Sequence, residues 1–459
     1  MTHVHFIGIG GSGLSAIARL LLESGYTVTG SDRILSPFAV DLQAAGISVQ
    51  IGHEAENIRG ADWIVRSSAI PDDNPEVVAA YLAGIPVFKR SDFLGQLMAD
   101  KIGIAIAGTH GKTTTTAMLA WTLSELGQDP SFIVGGVLTN LGVNARAGKG
   151  KYFVIEADEY DRMFLGLKPK IEVVTNVEYD HPDCYPTPSD FQRAFQDFIQ
   201  LLPADGKLVA YADDTGTASV LKEITLRGTN IVRYGIQAPK LDSKAENIHP
   251  NPMGGFSFDA HVYDEEVNVA LSVPGRHNVL NALAVLCVIN LLGLPIKDAA
   301  FPLSKYTGVG RRFQVCGEAN EITIIDDYAH HPTEIRATLA AARARYNQRH
   351  IWAVWQPHTY SRTQSLFNEF TRSFSDADHV IVTEIYAARE EKQDYSSLQV
   401  VKSMNHPNVL FISSLQGVVD YLAAHLQPSD VLLVLSAGDA DQVSTQVLTR
   451  LQESEAKDD

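Results

Sequence analysis

The segment Gly108-Thr109-His110-Gly111-Lys112-Thr113-Thr114 has the residue types needed to hold a polyphosphate. Glycines let backbone N–H groups approach an anion, Lys112 can reach the outer phosphates, and the Thr113 hydroxyl can ligate Mg²⁺. Position 106 is isoleucine, so the strict G-x-x-x-x-G-K-[ST] pattern is not met and the match is to the mechanism. A plain strand–turn–helix that carries Gly-Lys is the competing interpretation. Downstream, Glu156-Ala157-Asp158-Glu159-Tyr160-Asp161 places four carboxylates in six residues, and the run 176–183 adds Glu178, Asp180, His181 and Asp183. Acids at strand ends beside a phosphate loop suit hard Mg²⁺ ions. For Asp158, Glu159 and Asp161 a solvated acidic loop is an equal alternative. Glu156, first past an apolar strand, reads better as a ligand.

These residues need strands and helices to present them. The apolar, branched run 102–106 predicts a buried strand, and a helix opens at Lys112 and continues through Leu123. At the amino terminus a strand runs into G-x-G-x-x-G at Gly8, Gly10 and Gly13. A helix over 14–22 and a second strand over 26–30 follow, and Ser31-Asp32 closes the pattern. This is a dinucleotide fingerprint, but the same geometry suits any diphosphate laid over a helix start. Because the downstream cradle already offers a triphosphate site, the diphosphate of a substrate is preferred over a second cofactor. Residues 241–271 alternate apolar and polar and predict antiparallel hairpins. The last third again alternates strands and helices, with Tyr, His and Arg at its strand ends, suited to a small anionic or amino-acid substrate.

Bulk properties narrow the function further. A chain of 459 residues has room for about three domains. Its formal net charge of −17 argues against nucleic-acid and anionic-membrane surfaces. Cys184, Cys287 and Cys316 are scattered, with no C-x-x-C pair, which suggests reduced thiols in a cytoplasm. No apolar run suggests a membrane span.

GTHGKTTT, EADEYD, NVEYDHPDCY, GRHNVLNA, GRRFQ, DDYAHHPTEI and QPHTYSRT occur in one order, after an opening GIGGSGLSAIA and GSD. On these motifs the chain resembles the Mur ligases over nearly its whole length. The resemblance implies a three-domain α/β protein. Residues 1–95 would form a Rossmann-like UDP-sugar domain, 96–305 a P-loop-type mixed-sheet ATP domain, and 306–459 a doubly wound Rossmann-like amino-acid domain. It further implies an ATP- and Mg²⁺-dependent ligase of peptidoglycan synthesis, cytoplasmic, monomeric or homodimeric. Such an enzyme joins the carboxylate of UDP-N-acetylmuramate to L-alanine through an acyl phosphate. A recycling ligase that adds a tripeptide to the same sugar is the near alternative. An NAD-dependent dehydrogenase is the distant one.

Residue roles follow from the same resemblance. Gly108, Thr109, His110, Gly111, Lys112, Thr113, Thr114, His277, Asn278 and Arg312 would contact ATP, although His277 and Asn278 taken alone read as helix-capping residues. Thr113 and Glu156 would ligate one Mg²⁺ and His181 a second ion. Lys112, Glu156, His181, His330 and Arg312 form the expected catalytic set, with His330 accepting the amine proton. Tyr328, His330, His358 and Arg362 would surround alanine, Arg362 taking its carboxylate. Gly10, Gly11, Ser12, Gly13, Ser31, Asp32, Ser68 and Ala69 would line the UDP part, and 135–146 would meet the muramyl end. Thr359 stands where some relatives carry Arg, which places more of the carboxylate recognition on Arg362. Position 436 is Ser where relatives often have Gly. No Lys lies between Lys170 and Lys207, so the carbamylated lysine of sister ligases is not expected.

Overall fold

The computed structural model describes residues 2–224, 228 and 230–458. Three sheets follow one another along the chain. The first is wholly parallel and five-stranded, in the spatial order Ser48–Ile51, Thr27–Asp32, His3–Ile7, Trp63–Arg66, Val87–Lys89. Its order reverses beside His3–Ile7, so the glycine loop at the end of that strand sits at a topological switch point, where α/β sheets bind ligands.

The second sheet has ten strands and is mixed. Ile102–Ala107 lies inside it, flanked in parallel by Ile171–Val174 and Tyr152–Glu156. The expected hairpins are present as Ser243–Pro250, Phe256–Val262 and Glu265–Ala270, antiparallel at one edge. The helix Lys112–Glu125 carries four threonines directly after Lys112, and threonine is a poor helix former. Tertiary burial overrides that propensity: Met118, Leu119, Ala120 and Leu123 are inaccessible to solvent. Against it packs His277–Leu291, a helix apolar nearly all round and buried accordingly.

The third sheet has six strands, five of them parallel, with Gln314–Ala319 added antiparallel at one edge. That edge strand is mostly exposed and interrupted by a bulge, so it carries little hydrophobic signal. Ser48–Ile51 escaped the sequence analysis for a similar reason, since only Val49 of it is buried. Ile296–Lys305 is helical despite the internal Pro302. No described helix is long and apolar enough to cross a membrane.

One residue conflicts with this packing. Glu172 in Ile171–Val174 is fully buried between Ala105 and Leu208, and neither carboxylate oxygen has a hydrogen-bond partner. Burial pushes its carboxyl well above the ordinary range, so the folded protein holds that proton longer than the unfolded chain does. Stability therefore declines as pH rises from the unfolded value towards the folded one. Glu172→Leu is expected to gain about 1–3 kcal/mol at neutral pH and less near pH 5, read from thermal melts at both. Equal melting of variant and parent at both pH values would contradict the burial cost.

Candidate active site

The cradle loop leaves the carboxyl end of Ile102–Ala107 through two glycines with positive φ, 140° at Gly108 and 81° at Gly111. A Cβ on Gly108 would lie 2.0 Å from Thr175 Oγ1, so the loop tolerates no side chain there. Gly111 caps the helix without a side chain, and its first turn carries no acid. The positive end of the helix is therefore not neutralised by its own residues. Lys112 Nζ folds back onto the carbonyls of Gly108 (2.5 Å) and Thr109 (3.1 Å) and meets Glu159 at 2.8 Å.

Glu156 receives the Thr113 hydroxyl at 2.9 Å and the Gly135 N–H at 2.7 Å. Burial raises its carboxyl, against the pull of Lys112. A half-buried carboxylate paired with a threonine hydroxyl beside a phosphate loop is a donor set that fits Mg²⁺. His181 is placed differently. Its Nε2 faces Glu159 at 3.4 Å, and Glu156, Glu159 and His181 do not gather within 4.8 Å of one another. Burial would raise Glu159, but Lys112 and His181 outweigh it and hold that carboxyl below its usual range.

Several contacts join the second and third lobes. Arg362 donates to both oxygens of Asp180, Nε at 2.7 Å and Nη2 at 3.2 Å, and both side chains are almost wholly buried. Burial alone would raise Asp180; the Arg362 charge holds it well below the carboxylate range. The His110 ring lies between Glu178 (2.9 Å) and Glu334 (3.1 Å), which against burial raise it to about 9. Thr333 Oγ1 donates to Glu178 at 2.8 Å.

Arg362 is thus already committed, and its remaining Nη1 donates to His358 Nδ1 at 3.1 Å. That bond fixes the neutral His358 tautomer with its proton on Nε2. His330 is the converse: Nδ1–H donates to the Tyr328 carbonyl at 2.9 Å, leaving Nε2 as acceptor. The two rings sit 5.7 Å apart. Burial lowers His330 to about 4 and His358 to about 2, so both are neutral at pH 7.

A cavity of about 280 Å³ separates the lobes beside the cradle. Of the expected ATP contacts, His110, Gly111, Thr113, Thr114, His277, Asn278 and Arg312 line it, whereas Gly108, Thr109 and Lys112 do not. Asn281, Asp327 and Glu334 also line it and were not singled out from sequence. Arg312 stacks over Tyr328 at 4.9 Å.

In the first lobe, Gly8 and Ile9 N–H groups donate to the Ser31 carbonyl at 2.8 and 3.0 Å. Asp32 accepts the Gly10 N–H at 2.8 Å, so its carboxylate braces the loop itself. The Ser31 hydroxyl is spent on buried Glu76 at 2.6 Å. Gly11 is the cap of the helix that Ser12 and Gly13 begin, and Ser68 and Ala69 are exposed on the turn after Trp63–Arg66. Arg90 was missed. Its guanidinium packs so closely on the first helical turn that a Cβ at Gly13 would meet Cζ at 2.4 Å; Nη1 donates to Met163 Sδ at 3.9 Å and Nε has no hydrogen-bond partner. A cation opening a helix, where the dipole disfavours it, was the available signal. The hairpin Ser131–Leu138 and Val143–Arg146 packs on the first-lobe helix Ser12–Glu23, placing 135–146 between the two lobes.

Comparison with known proteins gives a consistent picture. Residues 3–102 match the model for the Mur ligase family, catalytic domain, 106–289 the Mur ligase middle domain, and 311–438 the Mur ligase, glutamate ligase domain. The chain is 44% identical to a UDP-N-acetylmuramate–L-alanine ligase of Geobacter sp. (strain M21), covering 98% of this chain and 97% of that one. It is 41% identical to the enzyme of that name from Acetivibrio thermocellus, covering 97% and 95%. Among solved structures, the UDP-N-acetylmuramate-alanine ligase of Thermotoga maritima superposes with a TM-score of 0.82 at 29% identity, over 99% of this chain and 100% of that one. A murein peptide ligase of Psychrobacter arcticus gives 0.74 at 28%, over 98% and 99%.

Removing one partner of the buried ion pair leaves the other charge stranded. Asp180→Ala is expected to cost about 3–5 kcal/mol, and its combination with Arg362→Met distinctly less than the sum of the two singles. Because Asp180 is held low, this contribution is complete above its ordinary value of 3.8 and is lost as pH falls below it. Urea denaturation of the four proteins measures the coupling, and simple additivity would refute it.

Proposed function

The chain belongs to the Mur ligase family, and from that premise we propose that it joins the carboxylate of UDP-N-acetylmuramate to the amino group of L-alanine at the expense of ATP. The observation that carries this reading is one continuous line of ionisable side chains. It runs from the cradle lysine through Glu159, His181, Asp180 and Arg362 to the His358 and His330 pair.

A carboxylate is a poor acyl donor because oxide is a poor leaving group. In the proposed reaction a sugar carboxylate oxygen attacks the γ-phosphorus of ATP, and the bond to the β–γ bridging oxygen breaks to release ADP. The alanine nitrogen then attacks the acyl carbon, and the C–O bond to phosphate breaks. Both steps concentrate negative charge, so fixed cations supply more than a protein nucleophile could. Lys112 exchanges Glu159 for phosphate oxygens, and Arg312 faces the same space from the third lobe. Thr113 and Glu156 are the residues that would hold Mg²⁺, which supplies further neutralisation there.

Alanine recognition follows from the two imidazole tautomers. His330 Nε2 accepts from the amine and His358 Nε2–H donates to the carboxylate. A base as weak as buried His330 orients the amine without retaining its proton, which passes to water. Arg362 acts as a positioning residue that fixes the His358 tautomer. In the first lobe, Arg90 and the N-terminus of the helix Ser12–Glu23 would hold the sugar nucleotide's diphosphate. Asp32, already bonded to Gly10 N–H, does not reach out as the ribose-binding acid of a dehydrogenase would, so the NAD reading is not favoured.

Two measurements test the reading. ADP release should require UDP-N-acetylmuramate with free L-alanine and should not respond to the tripeptide; the reverse preference would overturn it. Lys112→Ala should reduce turnover by at least ~10²-fold, and near-normal turnover would remove Lys112 from the chemistry.

A further inference from the structure

The incoming amino acid brings a carboxylate, and the guanidinium expected to receive it is already engaged. Arg362 is almost wholly buried, with Nε and Nη2 on Asp180 and Nη1 on His358. What the His330 and His358 pair then offers a carboxylate is one neutral N–H, at His358 Nε2. A full negative charge drawn out of water needs a cation to offset it.

Arg389 is a cation that the third lobe fixes beside that pair. The Tyr386 N–H donates to the Pro357 carbonyl at 2.8 Å, the Thr359 N–H donates to the Tyr386 carbonyl at 2.9 Å, and the Tyr386 and His358 rings stack 5.8 Å apart. On the other side of Arg389, Glu390 accepts the N–H groups of Tyr360 at 2.6 Å and Ser361 at 3.1 Å. The chain on both sides of Arg389 therefore grips the segment that carries His358 and Arg362. Ala388, directly before it, holds φ of 52°, a strained conformation of the kind that clusters at functional sites. Burial lowers His358 most, and the charges of His330, Arg362 and Arg389 lower it further, so this guanidinium lies within electrostatic reach of the ring.

Arg389 is not used up by its present contacts. Its guanidinium lies over the Tyr160 ring at 4.1 Å, and Nε and Nη2 converge on a single oxygen of Asp183 at 2.7 and 2.6 Å. That oxygen also accepts from Tyr160 Oη at 3.2 Å, and Arg389 Nη1 makes no hydrogen bond among the described residues. The two-oxygen fork that Arg362 makes on Asp180 is the stronger arrangement. Arg389 and Asp183 both keep contact with solvent, where an ion pair holds weakly.

We propose that Arg389 receives the α-carboxylate of the incoming amino acid, giving up or sharing Asp183 to do so, and is the specificity-determining residue that selects amines bearing a free carboxylate. This deepens the reading above and rests on it. The first residue of a peptide has an amide where free alanine has its carboxylate, so the same contact separates the amino acid from the tripeptide.

Arg389→Gln removes the charge and keeps much of the side chain's length. In the full-length variant KM for L-alanine should rise about 10- to 100-fold, the scale of a lost charge-assisted hydrogen bond, while KM for ATP and for UDP-N-acetylmuramate stay near parental. L-Alaninamide keeps the amine and lacks the charge, so parent and variant should use it equally, and the preference for alanine over its amide should shrink by the same factor. Arg389→Lys should recover part of the loss. Asp183→Asn removes the present partner and keeps the arginine, so KM for L-alanine should stay at or below the parental value. The proposal fails if Arg389→Gln leaves KM for alanine unchanged or impairs alanine and alaninamide alike. It also fails if Asp183→Asn reproduces the Arg389→Gln effects, because the pair would then be only a contact between lobes. A parent that never ligates L-alanine overturns the assigned reaction and this contact with it; a parent that does, with KM for alanine unmoved in Arg389→Gln, overturns the contact alone.

Discussion

The buried Asp180–Arg362 pair is the contact on which the rest of the site depends. Two charges removed from water are tolerated only where their geometry is close to ideal, and both oxygens of Asp180 meet guanidinium N–H groups. The two residues lie 182 positions apart and come from different lobes. Their meeting therefore fixes where the cradle lobe sits against the third lobe. Around it the charges alternate: Lys112, Glu159, His181, Asp180, Arg362. Each positive group is held by an acid and each acid by a cation, which keeps so many ionisable side chains buried together without large net charge.

This arrangement needs the fold to bring strand ends together. Parallel strands place all their carboxyl ends on one edge, and the loops leaving Ile102–Ala107, Tyr152–Glu156 and Ile171–Val174 deliver Lys112, Glu159 and Asp180 respectively. The third sheet presents its own strand ends opposite, after Ile322–Asp327 and Ile351–Trp355, with His330, Glu334, His358 and Arg362. The site is the seam between two such edges. Its ion pairs across the seam are also what must break for the lobes to separate, so the chemistry and the opening of the lobes share the same contacts.

What could be read from the sequence was whatever lies close together along it. The cradle was legible because strand, glycines, lysine and helix start are contiguous, and the first lobe was legible because its glycine spacing and Ser31-Asp32 fall within one βαβ unit. Partnerships across lobes were not legible. Nothing local marks Arg362 as bound to Asp180 rather than to a substrate carboxylate, or His110 as bridging Glu178 and Glu334. The acidic run showed the same limit. Glu159 is buried on Lys112, whereas its neighbour Asp161 sits on a turn with φ of 52°, and composition treats the two alike.

The central claim is that fixed positive charge turns an inert carboxylate into a mixed anhydride with phosphate before the amine arrives. Isotope transfer tests this most directly. With UDP-N-acetylmuramate carrying ¹⁸O in its carboxylate, complete turnover with ATP and L-alanine should yield inorganic phosphate bearing ¹⁸O from that carboxylate, read by mass spectrometry. Phosphate free of the label, alongside normal amide formation, would show that no acyl phosphate forms and would contradict the account.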